Sequence, residues 1–131
     1  MAGLSALDAV LGLWRAVPVP PERKTWHVYI LTDSLGVLRY TGISTNVPRR
    51  LAQHQSGKGA KCVRGWGRPL RLVCCSPGMP HREAAQLEIA VKRLSSTDKL
   101  RLIVRANALE SKQGKISENF SPPKPEGPSR G

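Results

Sequence analysis

Two tyrosines, one arginine and one glutamate stand at spacings from which a chemical site can be built. Tyr29 and Tyr40 fall in two short apolar stretches. Arg50 follows in a segment of helical periodicity, and Glu88 lies far downstream in a second one. Paired phenols supply hydrogen-bonding and proton-transfer groups. An arginine on the inward side of a helix needs an anionic partner. A carboxylate at the margin of a buried helix face either pairs with a lysine one turn on or holds a hard cation.

The elements that must position these groups follow from local pattern. Residues 26–32 are β-branched and aromatic and read as a strand, and residues 37–43 read as its partner. Residues 33–36 connect them, with Gly36 free to take positive φ. A four-residue loop sets Thr32 against Val37 and therefore Tyr29 directly opposite Tyr40, on one face of the sheet. Gly42, two residues beyond Tyr40, leaves that face open beside the ring. Asn46 caps a helix whose first turn tolerates Pro48. On it Val47, Leu51 and His54 share a stripe that includes Arg50 and excludes Arg49. The helix stops at Ser56-Gly57.

Residues 56–68 are Gly-rich and basic. They lack the spacing of a P-loop. Such a loop holds phosphates through Lys58, Lys61, Arg64 and Arg68, with Trp66 placed to stack on a base; alternatively it is an ordinary exposed loop whose tryptophan caps the core. Residues 70–75 form a third strand. Pro80 opens a helix with Ala84, Leu87, Val91 and Leu94 as its core stripe. Glu88 sits at the edge of that stripe, within an i,i+4 pair with Lys92. A last helix begins at residues 95–97, its apolar face supplied by Leu100, Ile103, Val104 and Leu109.

Before the first strand, Leu4, Leu7, Leu11 and Trp14 mark a short amphipathic helix, expected to pack loosely or to stand apart as an extension. Pro18, Pro20 and Pro21 close it. The organisation expected is an N-terminal extension over 1–22, one domain over 23–109, and a disordered Pro-rich tail over 110–131. Charge locates the partner. The chain carries 21 Lys and Arg against nine Asp and Glu. Residues 23–109 hold 16 basic and four acidic side chains, and the two ends together balance. The excess belongs to the domain and points to a polyanion. Cys62, Cys74 and Cys75 are odd in number and follow no zinc spacing, which argues against a disulfide framework and for a reducing, cytoplasmic setting. No apolar run is long enough to span a membrane.

The set resembles the GIY-YIG nuclease family, especially its short single-domain bacterial members. His27-Val28-Tyr29 stands where the first motif ends in tyrosine, and Tyr40-Thr41-Gly42 is one substitution from the second. Arg50 lies ten residues after the second tyrosine, at the family arginine, and Glu88 in Leu87-Glu88-Ile89-Ala90-Val91-Lys92 matches the family glutamate. Two departures stand out. Ile43 and Ser44 occupy positions where some members have Lys or His, and Asn107 is the only nearby candidate for a late asparagine.

The resemblance implies an α+β fold, a small three-stranded, mainly antiparallel sheet flanked by helices. It implies divalent-metal-dependent hydrolysis of phosphodiesters in DNA, with RNA not excluded, either structure-selective or non-specific and linked to repair or recombination. A single Mg²⁺ or Mn²⁺ is then held by Glu88, and Arg50 clamps the scissile phosphate. Tyr29 acts as general base or orients water, and Tyr40 positions water or phosphate. His54 assists, or is a half-buried helix histidine. With no recruiting domain, a protein partner would supply specificity. The alternative is a non-catalytic, basic nucleic-acid-binding module on a degenerate nuclease fold.

Overall fold

A computed structural model describes residues 5–33, 36, 39–56 and 70–113. The element order is α1 (Ala6–Leu13), β1 (His27–Thr32), β2 (Arg39–Ser44), α2 (Val47–Gln55), β3 (Arg71–Cys75), α3 (His81–Lys92) and α4 (Ser96–Gln113). The strands form one antiparallel sheet in the order β2-β1-β3. This is the α+β architecture expected. β1 is central, which explains its composition: Val28 through Thr32 are all buried, because both faces of a middle strand are covered. β2, at the edge, mixes Arg, Tyr, Thr and Ser.

The register departs from expectation. Tyr29 pairs with Gly42 and Tyr40 with Leu31, so Thr32 opposes Arg39 rather than Val37. The connection is longer than four residues, with Gly36 at φ 76° and its N–H on the Asp33 carbonyl at 3.1 Å. The shift is two residues, one full side-chain period. Both tyrosines therefore stay on the same face, as diagonal rather than direct neighbours.

Alternation along β1 divides the interior in two. Val28 and Ile30 join a larger cluster with Cys74, Met79, Ala84, Leu87, Val91, Leu94, Leu102 and Ala106. Tyr29 and Leu31 join a smaller one on the opposite face with Val47, Leu72 and Cys75, against which Tyr40 and Leu51 pack. Both Cys74 and Cys75 are buried. Among the described residues no helix is long and apolar enough to cross a membrane.

α1 does not stand apart. Ser5 caps it by accepting from the Asp8 N–H, and Leu7, Val10 and Trp14 enter the larger cluster against α3 and α4. The Val17 N–H then donates to the Gly78 carbonyl at 3.1 Å, tying the following segment to the turn before α3. The core thus extends beyond the boundary near residue 23 that the prolines suggest, because those residues end a helix without ending the packed unit. α4 also departs from expectation. It buries Leu102 and Ala106, while Leu100 and Val104 remain 49% and 66% exposed. A small alanine on the inner stripe lets the helix approach closely, and the larger aliphatics lie outside.

Trp14→Ala removes a side chain that is only 6% exposed. The expected cost is about 3–5 kcal/mol of stability, measured as a lowered urea midpoint with an unchanged slope. A loss within ~0.5 kcal/mol, the range of an exposed position, would mean that α1 is dispensable to the fold.

Candidate active site

The smaller cluster holds Tyr29, with Tyr40 packed against it. α2 reaches it through its cap: the Asn46 side chain accepts from the Arg49 N–H at 3.0 Å, and the Asn46 N–H donates to Ser44 Oγ at 2.9 Å. This fixes the helix start directly after β2. Pro48, in the first turn, removes a donor that would have no intrahelical partner. The phase then follows at 3.6 residues per turn. Val47 and His54 are buried, Arg50 is half-buried and Arg49 points to solvent.

Tyr29 and His54 are 1% and 2% exposed, and Tyr29 Oη lies 3.0 Å from His54 Nε2. Tyr40 completes the group. Its ring centroid is 6.2 Å from Tyr29 at 55° and 5.2 Å from His54 at 60°, an edge-on packing. Gly42 makes this possible. A Cβ on it would stand 2.8 Å from Tyr29 Oη and 2.9 Å from Tyr40 Cε2, so the close approach needs a residue without a side chain.

Burial sets the electrostatics. It pushes the Tyr29 phenol well above its ordinary range, aided by Tyr40 and by the negative charge of Glu88 and opposed by Arg50. Burial also holds His54 below the usual imidazole value, and the positive charge of Arg50 adds to this. Both groups are therefore neutral at pH 7. Arg50 Nη1 donates to Gln53 Oε1 at 2.8 Å. Glu88 is half-buried and pairs with Lys92 at 3.2 Å, the i,i+4 contact foreseen as its alternative role. Its charge nonetheless bears on Tyr29, so the carboxylate belongs to the same electrostatic neighbourhood.

The structure thus brings Tyr29, Tyr40, His54 and Arg50 together, with Glu88 within electrostatic reach. Lys58, Lys61, Arg64, Trp66 and Arg68 lie outside the described residues. Asn107 does not join the group: its Nδ2 donates to the Val73 carbonyl on β3, the opposite edge of the sheet from β2. Gln53 was passed over in the sequence. Its signal there is its place one helical turn after Arg50.

A model of the GIY-YIG catalytic domain matches residues 25–101. The chain belongs to the GIY-YIG family. It is similar to a UPF0213 protein of Serratia proteamaculans, 52% identical over 79 residues, which span 60% of this chain and 76% of that one. A UPF0213 protein of Photorhabdus laumondii is 51% identical over 79 residues, 60% of this chain and 74% of its own. Among solved structures, the solution NMR structure of a UPF0213 protein from Bacillus halodurans is 41% identical, covering 74% of this chain and 94% of that one, with a TM-score of 0.39.

Members of the GIY-YIG family are generally divalent-metal dependent, which makes the donor set worth testing. Among the described residues no three His, Cys, Asp or Glu side chains gather as a metal cage. The Glu88 carboxylate is a single hard oxygen donor at a half-buried position. That fits Mg²⁺ or Mn²⁺, which keep several waters and take oxygens from a substrate, and does not fit structural zinc.

Two outcomes follow from the geometry. Gly42→Ala forces a methyl between the two phenols and is expected to cost roughly 1–3 kcal/mol, read as a lowered thermal midpoint. The second concerns pH. Because the folded-state value of His54 is depressed, its neutral form is favoured in the fold. Stability is then complete above the unfolded value near 6.5 and is lost as pH falls through the lower folded value. Urea midpoints of the natural protein at pH 7.5 and pH 5 should differ in that direction, and in His54→Gln the difference should shrink.

Proposed function

We propose that this chain is a metal-dependent nuclease that hydrolyses phosphodiester bonds in DNA. The observation that carries the reading is the buried contact of Tyr29 Oη with His54 Nε2, set beside a half-buried arginine. In its Nδ1–H tautomer the neutral imidazole accepts at Nε2, and the phenol donates to it. Tyr29 Oη then accepts from Arg50 and has a further lone pair with which to accept from a water. A proton leaving that water passes to Tyr29 as the phenol proton passes to His54. Tyr29 serves as a relay and not as a standing phenolate, since burial holds its proton on at neutral pH.

Arg50 binds the non-bridging oxygens of the phosphodiester and stabilises the charge that grows there as water attacks. Tyr40, packed edge-on against His54, keeps the imidazole in plane for its partner and excludes bulk water. Glu88 would hold the divalent ion, which would supply Lewis-acid stabilisation of charge on the phosphate. The basic segment around Lys58, Lys61, Arg64 and Arg68, with Trp66, supplies non-specific affinity for the polyanion, and specificity for branched or flapped repair and recombination intermediates comes from a protein partner. A site that is charged, neutralised by phosphate and indifferent to sequence suits such a division of labour.

The test is incubation of pure protein with labelled single-stranded, duplex, flapped and branched DNA and RNA, with Mg²⁺, with Mn²⁺ and with EDTA. Cleavage that requires the ion is expected, with Tyr29→Phe and His54→Ala each slowing it by about 10²–10⁴-fold. Turnover that persists in Glu88→Ala would remove the assignment of the metal ligand. Binding of these nucleic acids with no cleavage under any condition would make the chain a binding module.

A further inference from the structure

Gln53 is a polar side chain in hydrogen-bond contact with Arg50, and no motif draws attention to it. Its Oε1 accepts from Arg50 Nη1 at 2.8 Å, with both side chains half-buried on the same turn of α2. A guanidinium only donates, so the amide must present its oxygen to Arg50 and turn its NH₂ away as a further donor. The bond is thus made by a neutral group. A glutamate at the same position would reach as far and would pair with the guanidinium as an ion.

The difference matters for an anion site. Among the described residues the ion pairs are Glu88 with Lys92 and Asp98 with Arg101, and none engages Arg50. The Arg50 charge is still felt by its neighbours. It works against the burial that raises Tyr29, and it adds to the burial that lowers His54. We propose that Gln53 is a positioning residue, which fixes the Arg50 guanidinium for a phosphodiester oxygen while leaving its positive charge uncompensated. This rests on the phosphodiester reading of the site.

Charge and geometry are separated by two variants, Gln53→Glu and Gln53→Ala, each checked for an unchanged far-ultraviolet circular dichroism spectrum. Three readouts apply. The first is the NMR titration of the His54 imidazole, which is faced by Tyr29, Tyr40 and Arg50, with Glu88 beyond Tyr29. The second is the affinity for a fluorescein-labelled DNA duplex without divalent ion. The third is kcat against KM on that duplex with Mg²⁺. Gln53→Glu is expected to raise the His54 midpoint and to weaken duplex binding roughly tenfold, since it cancels a charge the phosphate would meet. Gln53→Ala is expected to leave the His54 midpoint in place and to lower kcat by about tenfold or more, as a misplaced clamp does. If Gln53→Glu matches the natural protein in both His54 titration and duplex affinity, the proposal fails. Should the natural protein cleave nothing, the nuclease reading falls on its own, and the titration and binding of Gln53→Glu still decide the role of Gln53.

Discussion

The buried contact between Tyr29 and His54 constrains the rest of the site. A hydroxyl and a ring nitrogen at 1–2% exposure have left water, and each must find a partner or carry a desolvation cost of about 1–3 kcal/mol. They find each other at 3.0 Å. Meeting that one requirement sets three elements at once. β1 must present Tyr29 toward α2, and α2 must be capped at Asn46 so that His54 falls on the inner face two turns later. β2 must bring Gly42, and no bulkier residue, against the phenol. Moving any of these by one residue leaves a polar atom buried without a partner or drives a Cβ into a ring.

The sheet separates stability from chemistry. On one face Val28 and Ile30 pack with α1, α3 and α4 in a cluster of aliphatic side chains, Met79 and Trp14. On the other, Tyr29 and Leu31 meet α2 in a smaller cluster that includes the phenols of Tyr29 and Tyr40. Polar groups in the second cluster are tolerable because the first supplies most of the apolar burial. α1 packs into the larger cluster, whose buried residues among those described are distinct from the smaller one. The larger cluster packs against the central strand β1, and β1 carries Tyr29. Glu88 joins the two faces. It rides on α3, whose inner stripe of Ala84, Leu87 and Val91 belongs to the larger cluster, yet its charge acts on a phenol of the smaller one.

Legibility from the sequence followed the period of each element. Face assignment needs only the parity of a strand and the phase of a helix, and both were readable: the two tyrosines share a face, Arg50 turns in and Arg49 turns out. Register needs more. A two-residue slip leaves every side chain on its face, so no hydrophobic pattern distinguishes Tyr29 opposite Tyr40 from Tyr29 opposite Gly42. Only the length of the connection decides it, and turn residues do not count themselves. α4 shows the corresponding weakness of helices. Leu100, Ile103 and Val104 make an acceptable stripe, and so do Leu102, Ile103 and Ala106; the second is buried because alanine permits close approach, a property that hydrophobicity ranks low. Periodicity likewise marked α1 without revealing its partner. Glu88 was readable as either ion-pair partner or site carboxylate; its contact is with Lys92, and its charge bears on Tyr29.

The charges of the site explain how substrate and base are coupled under the reading proposed for it. Tyr29 and His54 are held neutral, so among the described residues the formal charges bearing on them are Arg50 and Glu88, and Glu88 pairs with Lys92. Arg50 is left over. Its charge is one of the two causes that keep the His54 basicity low. A phosphodiester that pairs with the guanidinium cancels that charge locally, and the suppression of His54 relaxes at the moment the substrate is in place. The imidazole is thus a weaker base in the empty site, where protonation would reverse its hydrogen bond to Tyr29 and spend its acceptor, and a stronger one when there is a water to activate. A carboxylate beside Arg50 would abolish this dependence by neutralising the guanidinium permanently. A neutral amide at Gln53 preserves it, and the field of a single arginine then serves both to draw the phosphate in and to tune the base that acts on it.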